Sequence, residues 1–165
     1  MNIAIVGATG NVGRKILEVL EKKELEIDNL YLVASSRSAG IKIKFRGKEY
    51  EVEELDSFDF SKAKIIFFAA GGKISEKFAE KASKNSLVID NSSFFRMDPD
   101  VPLIVPQVNS EDLDNIKKNI IANPNCSTAQ LVIALKPLHD LFMIKRVVVS
   151  TYQSVSGGGK APMDE

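Results

Sequence analysis

Residues 2–13 read N-I-A-I-V-G-A-T-G-N-V-G, an apolar run that breaks into a loop with glycine at every third position. Asn2–Val6 has the length and composition of a short buried strand. Beyond the loop, Val12, Ile16, Val19 and Leu20 recur at helical spacing as far as Lys22. A strand that passes through a glycine turn directly into a helix commits the chain to an α/β layout. The helix is a crossover, and it returns the next strand parallel to the first.

The remaining sequence keeps that alternation. Leu30–Ala34 is the second strand. Ile41–Phe45 and Glu49–Val52 alternate apolar and polar residues around R-G-K, the signature of a hairpin. Lys64–Ala70 is an apolar strand ending in Gly71-Gly72, with a helix after it to about Lys84. Leu87–Asp90 is a strand that enters the loop N-S-S-F-F-R-M-D-P-D, and Leu103–Val105 is a short extended piece between prolines. The acidic start and lysine-rich end of Ser110–Lys118 predict a capped helix. Ile120–Ala122 predicts a strand, Thr128–Leu141 a helix and Lys145–Tyr152 a further strand. The expected class is α/β, a doubly wound and largely parallel Rossmann-type sheet. The boundary falls near residue 124, with 125–165 opening a second domain. The closing S-V-S-G-G-G-K-A-P-M-D-E turns without reaching a further element, so the chain is expected to be the front part of a longer protein.

Composition excludes some partners. Lys and Arg number 22 and so do Asp and Glu, leaving no field to draw nucleic acid or an anionic membrane. The longest apolar run, Ile65–Ala70, is too short to span a bilayer. The N-terminus lacks the basic region and cleavage site of a signal peptide. A single cysteine, Cys126, cannot form an internal disulfide and fits a reducing compartment. The expectation is a cytoplasmic protein with no nucleic-acid or membrane partner, and no metal is assigned.

Gly7, Gly10 and Gly13 stand between strand and helix, the context of a dinucleotide fingerprint, though spaced G-x-x-G-x-x-G. Glycines there let the backbone approach a pyrophosphate, while amides of the helix N-terminus face its charge. The second strand ends Ala34-Ser35-Ser36-Arg37-Ser38, without the carboxylate that would hold a ribose 2′-hydroxyl. An arginine among hydroxyls suits a 2′-phosphate, so the cofactor reading is NADP. The plain alternative is a solvated surface arginine.

Cys126 lies in N-P-N-C-S-T-A-Q. Pro124 keeps the chain extended, and Asn125 is a good N-cap, so the thiol falls in the first helical turn. The positive end of a helix favours a thiolate, the form that acts as a nucleophile. Isolated cysteines are more often inert core residues, and the cap and the adjoining nucleotide motif argue against that here. A dinucleotide beside a nucleophilic thiol points to reductive acyl transfer, with an acyl thioester reduced to an aldehyde, or to its reverse.

Four stretches together resemble aspartate-semialdehyde dehydrogenase: G-A-T-G-N-V-G, S-S-F-F-R-M-D-P-D-V-P-L-I-V-P-Q-V-N, N-P-N-C-S-T-A-Q and T-Y-Q-S-V-S-G-G-G. They occur in the family's order along the whole chain. The resemblance implies NADPH-dependent reduction of L-aspartyl 4-phosphate to L-aspartate 4-semialdehyde with release of phosphate. That step feeds lysine, diaminopimelate, methionine and threonine synthesis. It implies that Cys126 is the acyl-thioester nucleophile, that Gln153 contacts the substrate, that Arg96 binds the acyl phosphate and that Asn125 shapes the site. Gly7, Thr9, Gly10, Asn11 and Val12 would hold the cofactor pyrophosphate, Arg37 and Ser38 its 2′-phosphate, and Ser156 and Gly157 the nicotinamide side. It also implies a catalytic and dimerisation domain that pairs two subunits as a homodimer.

Each of these residues has a plainer reading. Arg96 could pair with Asp98 or Asp100, and Gln153 could be an ordinary polar strand end. His139, the only histidine, is set aside as the base, because thirteen helical residues separate it from Cys126 by roughly 20 Å. The resemblance places the acid–base histidine and the arginine for the substrate carboxylate beyond residue 165, so residues 1–165 alone are expected to be nearly inactive. Gln107 stands where the family commonly has Glu, and Ala129 where it has a bulkier residue. Two other readings remain: an N-acetyl-glutamyl-phosphate reductase, which usually surrounds its cysteine differently, and a non-catalytic NADP-binding sensor, in which alkylating Cys126 changes nothing.

Overall fold

The computed structural model describes residues 1–155. Seven strands form one sheet: β1 (Asn2–Val6), β2 (Asn29–Ala34), β3 (Lys42–Phe45), β4 (Lys48–Glu54), β5 (Ile65–Phe68), β6 (Leu87–Asp90) and β7 (Ile120–Ala122). Their order is β3-β4-β2-β1-β5-β6-β7. Every pairing is parallel except β3 with β4. Helices α1 (Asn11–Glu21) and α2 (Gly72–Ser83) cover opposite faces. Leu17 and Leu20 of α1 pack with Ile3, Ile5 and Leu32, while Phe78, Ala79 and Ala82 of α2 pack with Val6, Ile66 and Phe68. Burial on both faces explains why β1 and β5 read as unbroken apolar runs. The doubly wound α/β expectation is met.

The Arg46-Gly47 pair turns the expected hairpin, with φ of 47° and 77°, the backbone of a two-residue turn that matches sheet twist. Arg46 also ties the hairpin to α1. Its guanidinium donates to the carbonyls of Leu20 (3.0 Å), Lys23 (2.5 Å) and Leu25 (2.8 Å), and its amide donates to Glu21 (2.8 Å). Leu20 O lies in the last turn of α1 and Lys23 O and Leu25 O in the segment that follows it, so the cation sits near the negative end of the helix. Arg46→Ala should lower stability by about 1–2 kcal/mol, read as a reduced urea midpoint with unchanged m-value.

Two elements depart from expectation. Ser110–Lys118 is not an α-helix: a four-residue helix α3 (Pro106–Asn109) leads into a 3₁₀ stretch, Ser110–Asn115. Asn109, at the junction, accepts from the amide of Val105 and donates to Leu103 O and the Asp112 carboxylate, local side-chain bonds of the kind that compete with a regular helix. The strand expected over Lys145–Tyr152 is not formed either, since residues 143–154 are neither helix nor strand. A β-rich stretch becomes a strand only when it pairs with an edge, and among the described residues it pairs with none. Helix α4 (Cys126–Phe142) forms as expected and runs through Pro137.

Candidate active site

The chain moves from β1 out to β2, then crosses back to lay β5 on the other side of β1. Ligands of doubly wound sheets bind at such a switch point, outside the carboxyl ends of the strands. A crevice of about 310 Å³ lies there, lined by Gly7, Thr9, Gly10 and Arg37 and also by Leu55 and Ile74. Gly7 has φ of 87°, and a Cβ on it would sit 2.7 Å from the carbonyl oxygen of Ala69. Gly10 is the N-cap of α1, and its amide donates to Gly7 O at 3.0 Å. The crevice therefore offers glycine backbone, a helix N-terminus, a hydroxyl and a guanidinium to an anion. The apolar side chains of Leu55 and Ile74 in the same lining suit a flat base. These residues suit a dinucleotide.

Thr9 Oγ1 donates to Ser38 Oγ at 3.4 Å, which ties the glycine loop to the 3₁₀ turn Ser36–Ser38 that carries Arg37. Asn11 and Val12 form the first turn of α1 and do not line the crevice. Ser156 and Gly157 lie outside the described residues.

At the other end of the sheet, β7 gives way to Asn123-Pro124-Asn125 and α4 begins. Asn125 caps it, accepting from the Ser127 amide at 3.0 Å and the Ser127 hydroxyl at 2.6 Å. Cys126 is thus the first residue of the helix, an exposed free thiol with Sγ 3.9 Å from Asn125 Oδ1. Cys126 and Gln153 line one cavity of about 310 Å³, together with Ser127, Gln130, Thr151 and Tyr152. Sequence reasoning missed Gln130 and Thr151. Gln130 is one helical turn past Cys126, so its spacing was the available signal; Thr151 opens the stretch T-Y-Q-S-V-S-G-G-G, two residues ahead of Gln153. His139 lines a different cavity, with Val108 and Leu135.

Arg96 is not among the residues lining the thiol cavity. It also does not pair with its acidic neighbours, the plainer of its two readings. Asp98 bonds Lys118 at 2.8 Å and Asp100 bonds Lys117 at 2.9 Å. The Lys118 ammonium, helped by the Asp100 amide, holds the Asp98 carboxyl below its ordinary range. Arg96 instead donates through Nε to Asn123 O (3.0 Å) and through Nη2 to Asn91 O (3.2 Å). It is anchored on the carboxyl ends of β6 and β7, and Asn123 stands three residues ahead of Cys126. Among the described residues, the Nη1 amino group is left for an anion.

Comparison with known proteins bears on this arrangement. Residues 2–116 match the family described as semialdehyde dehydrogenase, NAD binding domain, and residues 135–165 match its dimerisation domain. Aspartate-semialdehyde dehydrogenase of Aquifex aeolicus is 55% identical over 99% of this chain and 49% of its own length; that of Shewanella violacea is 51% identical over the same shares. The structure of aspartate semialdehyde dehydrogenase II complexed with ASA from Vibrio cholerae superposes with a TM-score of 0.95 at 50% identity, again over 99% of this chain and 49% of that one. A Candida albicans aspartate semialdehyde dehydrogenase with NADP gives a TM-score of 0.71 at 31% identity, over 87% and 48%. The chain spans about half the length of the curated relatives it matches. Since one match takes in β1 to β6 with the glycine loop and the other begins within α4, the chain belongs to the semialdehyde dehydrogenase family.

Proposed function

We propose that the protein carrying this chain reduces L-aspartyl 4-phosphate to L-aspartate 4-semialdehyde with NADPH, releasing phosphate, in the biosynthesis of lysine, methionine and threonine, and does so as a homodimer. The observation that carries the reading is Cys126: a thiol at the start of α4, in one cavity with Gln153, on a sheet whose switch point offers a dinucleotide crevice. The names of the relatives and the NADP in the Candida albicans structure support it.

In the forward direction the Cys126 sulfur attacks the acyl carbon, the carbon–oxygen bond to phosphate breaks, and phosphate leaves with the bonding electron pair. Arg96 stabilises the charge on the departing group, and Gln153 orients the acyl chain beside the sulfur. A nicotinamide held beside this site would supply the hydride that reduces the thioester. The carbon–sulfur bond then breaks, the aldehyde leaves, and Cys126 recovers its sulfur electron pair. Thr9, Gly10 and the first amides of α1 would hold the pyrophosphate, Arg37 and Ser38 would hold the 2′-phosphate, and Asn125 fixes the turn that presents the thiol.

The test is phosphate-dependent reduction of NADP by the full-length protein, with aspartate semialdehyde and N-acetyl-glutamate semialdehyde offered in parallel. Preference for the first is the expected result. Preference for the second would move the protein to the N-acetyl-glutamyl-phosphate reductases, and inactivity with both despite tight NADPH binding would favour a sensor.

Arg37 sets cofactor choice in this reading. Arg37→Ala should raise the KM for NADP by roughly 10–100-fold, the worth of one charge-assisted phosphate contact, and leave the KM for NAD nearly unchanged. Equal losses with both cofactors would show that Arg37 does not face the 2′-phosphate.

A further inference from the structure

Asp90 ends β6 with its side chain fully buried, and it takes no part in the chemistry proposed above. Its Oδ1 accepts from Ser75 Oγ at 2.7 Å and from the Ser92 amide at 3.1 Å, and its Oδ2 accepts from Ser92 Oγ at 2.7 Å. A buried carboxylate is costly unless its oxygens are paired, and here both are. Ser92 Oγ in turn accepts from the Phe94 amide at 3.1 Å. Phe95 then enters the core, 1% exposed. Arg96 follows, anchored on Asn91 O and Asn123 O. The backbone of Asp90 works on the other flank, where its carbonyl accepts from the Asn123 amide at 2.8 Å. One residue thus grips the loop that carries Arg96 and also the strand end that leads to Cys126. Ser75 lies on α2, so the grip also reaches the helix layer.

We propose that Asp90 is a positioning residue: through Ser75 and Ser92 it sets the path of residues 91–96, and so the direction in which Arg96 presents its Nη1 amino group toward the acyl-phosphate site. The proposal rests on the anion-binding role given to Arg96 above. A hydrophobic residue would fill the same space, but it could not hold a hydroxyl and an amide of the following turn at once.

Asp90→Asn keeps the shape and turns one acceptor into a donor facing the Ser92 hydroxyl. In the full-length protein it should raise the KM for inorganic phosphate about tenfold, while kcat falls less and NADPH affinity stays within about twofold. Phenylglyoxal should modify Arg96 at least about threefold faster by peptide mass mapping, because the guanidinium loses its anchored geometry. Ser92→Ala should move both readouts the same way. A folded Asp90→Asn protein with unchanged Arg96 reactivity and unchanged phosphate KM overturns the proposal. A uniform fall in activity, cofactor affinity and melting temperature without change at Arg96 does so too. Should Asp90→Asn not fold, Ser92→Ala decides on the same two measurements. Arginine modification needs no turnover. Wild-type protein without phosphate-dependent activity would therefore defeat the functional reading, while Arg96 reactivity still judged the positioning.

Discussion

Replacing Cys126 by alanine should reduce phosphate-dependent aldehyde oxidation at least about 10⁴-fold, since no covalent route remains without the sulfur. The same change should leave the fold and the cofactor site alone. Cys126 is exposed, so no core packing is lost. The helix cap belongs to Asn125, which the substitution does not touch. Alanine is also the best helix former for the first turn. The thiol lines none of the nucleotide crevice, so NADPH should bind the variant as tightly as the parent. Stopped-flow reduction of NADP together with fluorescence titration of NADPH separates the two effects. An active Cys126→Ala protein would remove the thioester from the mechanism, whatever became of cofactor binding.

The second large effect belongs to Gly13. It is buried in α1, and a Cβ there would lie 2.2 Å from Gly7 O and 2.8 Å from Ala8 Cα. Both neighbours are backbone and cannot rotate away. Gly13→Ala must push α1 off the loop that it follows, at a cost of about 3 kcal/mol or more. The displaced amides should weaken NADPH binding more than about tenfold. Gly10→Ala is the contrast. Its φ is −78° and its nearest neighbour would be 3.4 Å away, so the fold should hold, whereas Gly10 lines the crevice and the ligand should suffer. Urea denaturation beside cofactor titration distinguishes them, and equal stability losses would show that helix approach is not what Gly13 provides.

The parts legible in the sequence are those where one local pattern has one physical solution. Alternating strand and helix gave the sheet, R-G at positions 46–47 gave the hairpin turn, and N-P-N-C placed the thiol at a helix start. The parts that stayed hidden depend on partners far along the chain. Asp90 reads as the end of a strand; only the fold brings Ser75 of α2 to it. Lysines 117 and 118 take up the carboxylates of Asp100 and Asp98, and that frees Arg96 from its nearest acids. Lys145–Tyr152 has the composition of a strand, but composition cannot supply the edge that a ladder needs.

The place of β1 in the sheet also governs the order in which the chain can fold. The earliest of the seven strands to be made lies between β2 and β5, and its second flank closes only when Ile65–Phe68 arrives. At synthesis rates of about 5–20 residues per second, Val6 waits roughly 3–12 s for Phe68. During that interval the nascent chain holds an apolar strand paired on at most one side. The I-I-F-F run that completes the pair is itself an apolar, uncharged segment prone to self-association until β1 and β6 enclose it. Fast synthesis and high local concentration of nascent chains are therefore the conditions under which this sheet is most exposed to intermolecular pairing.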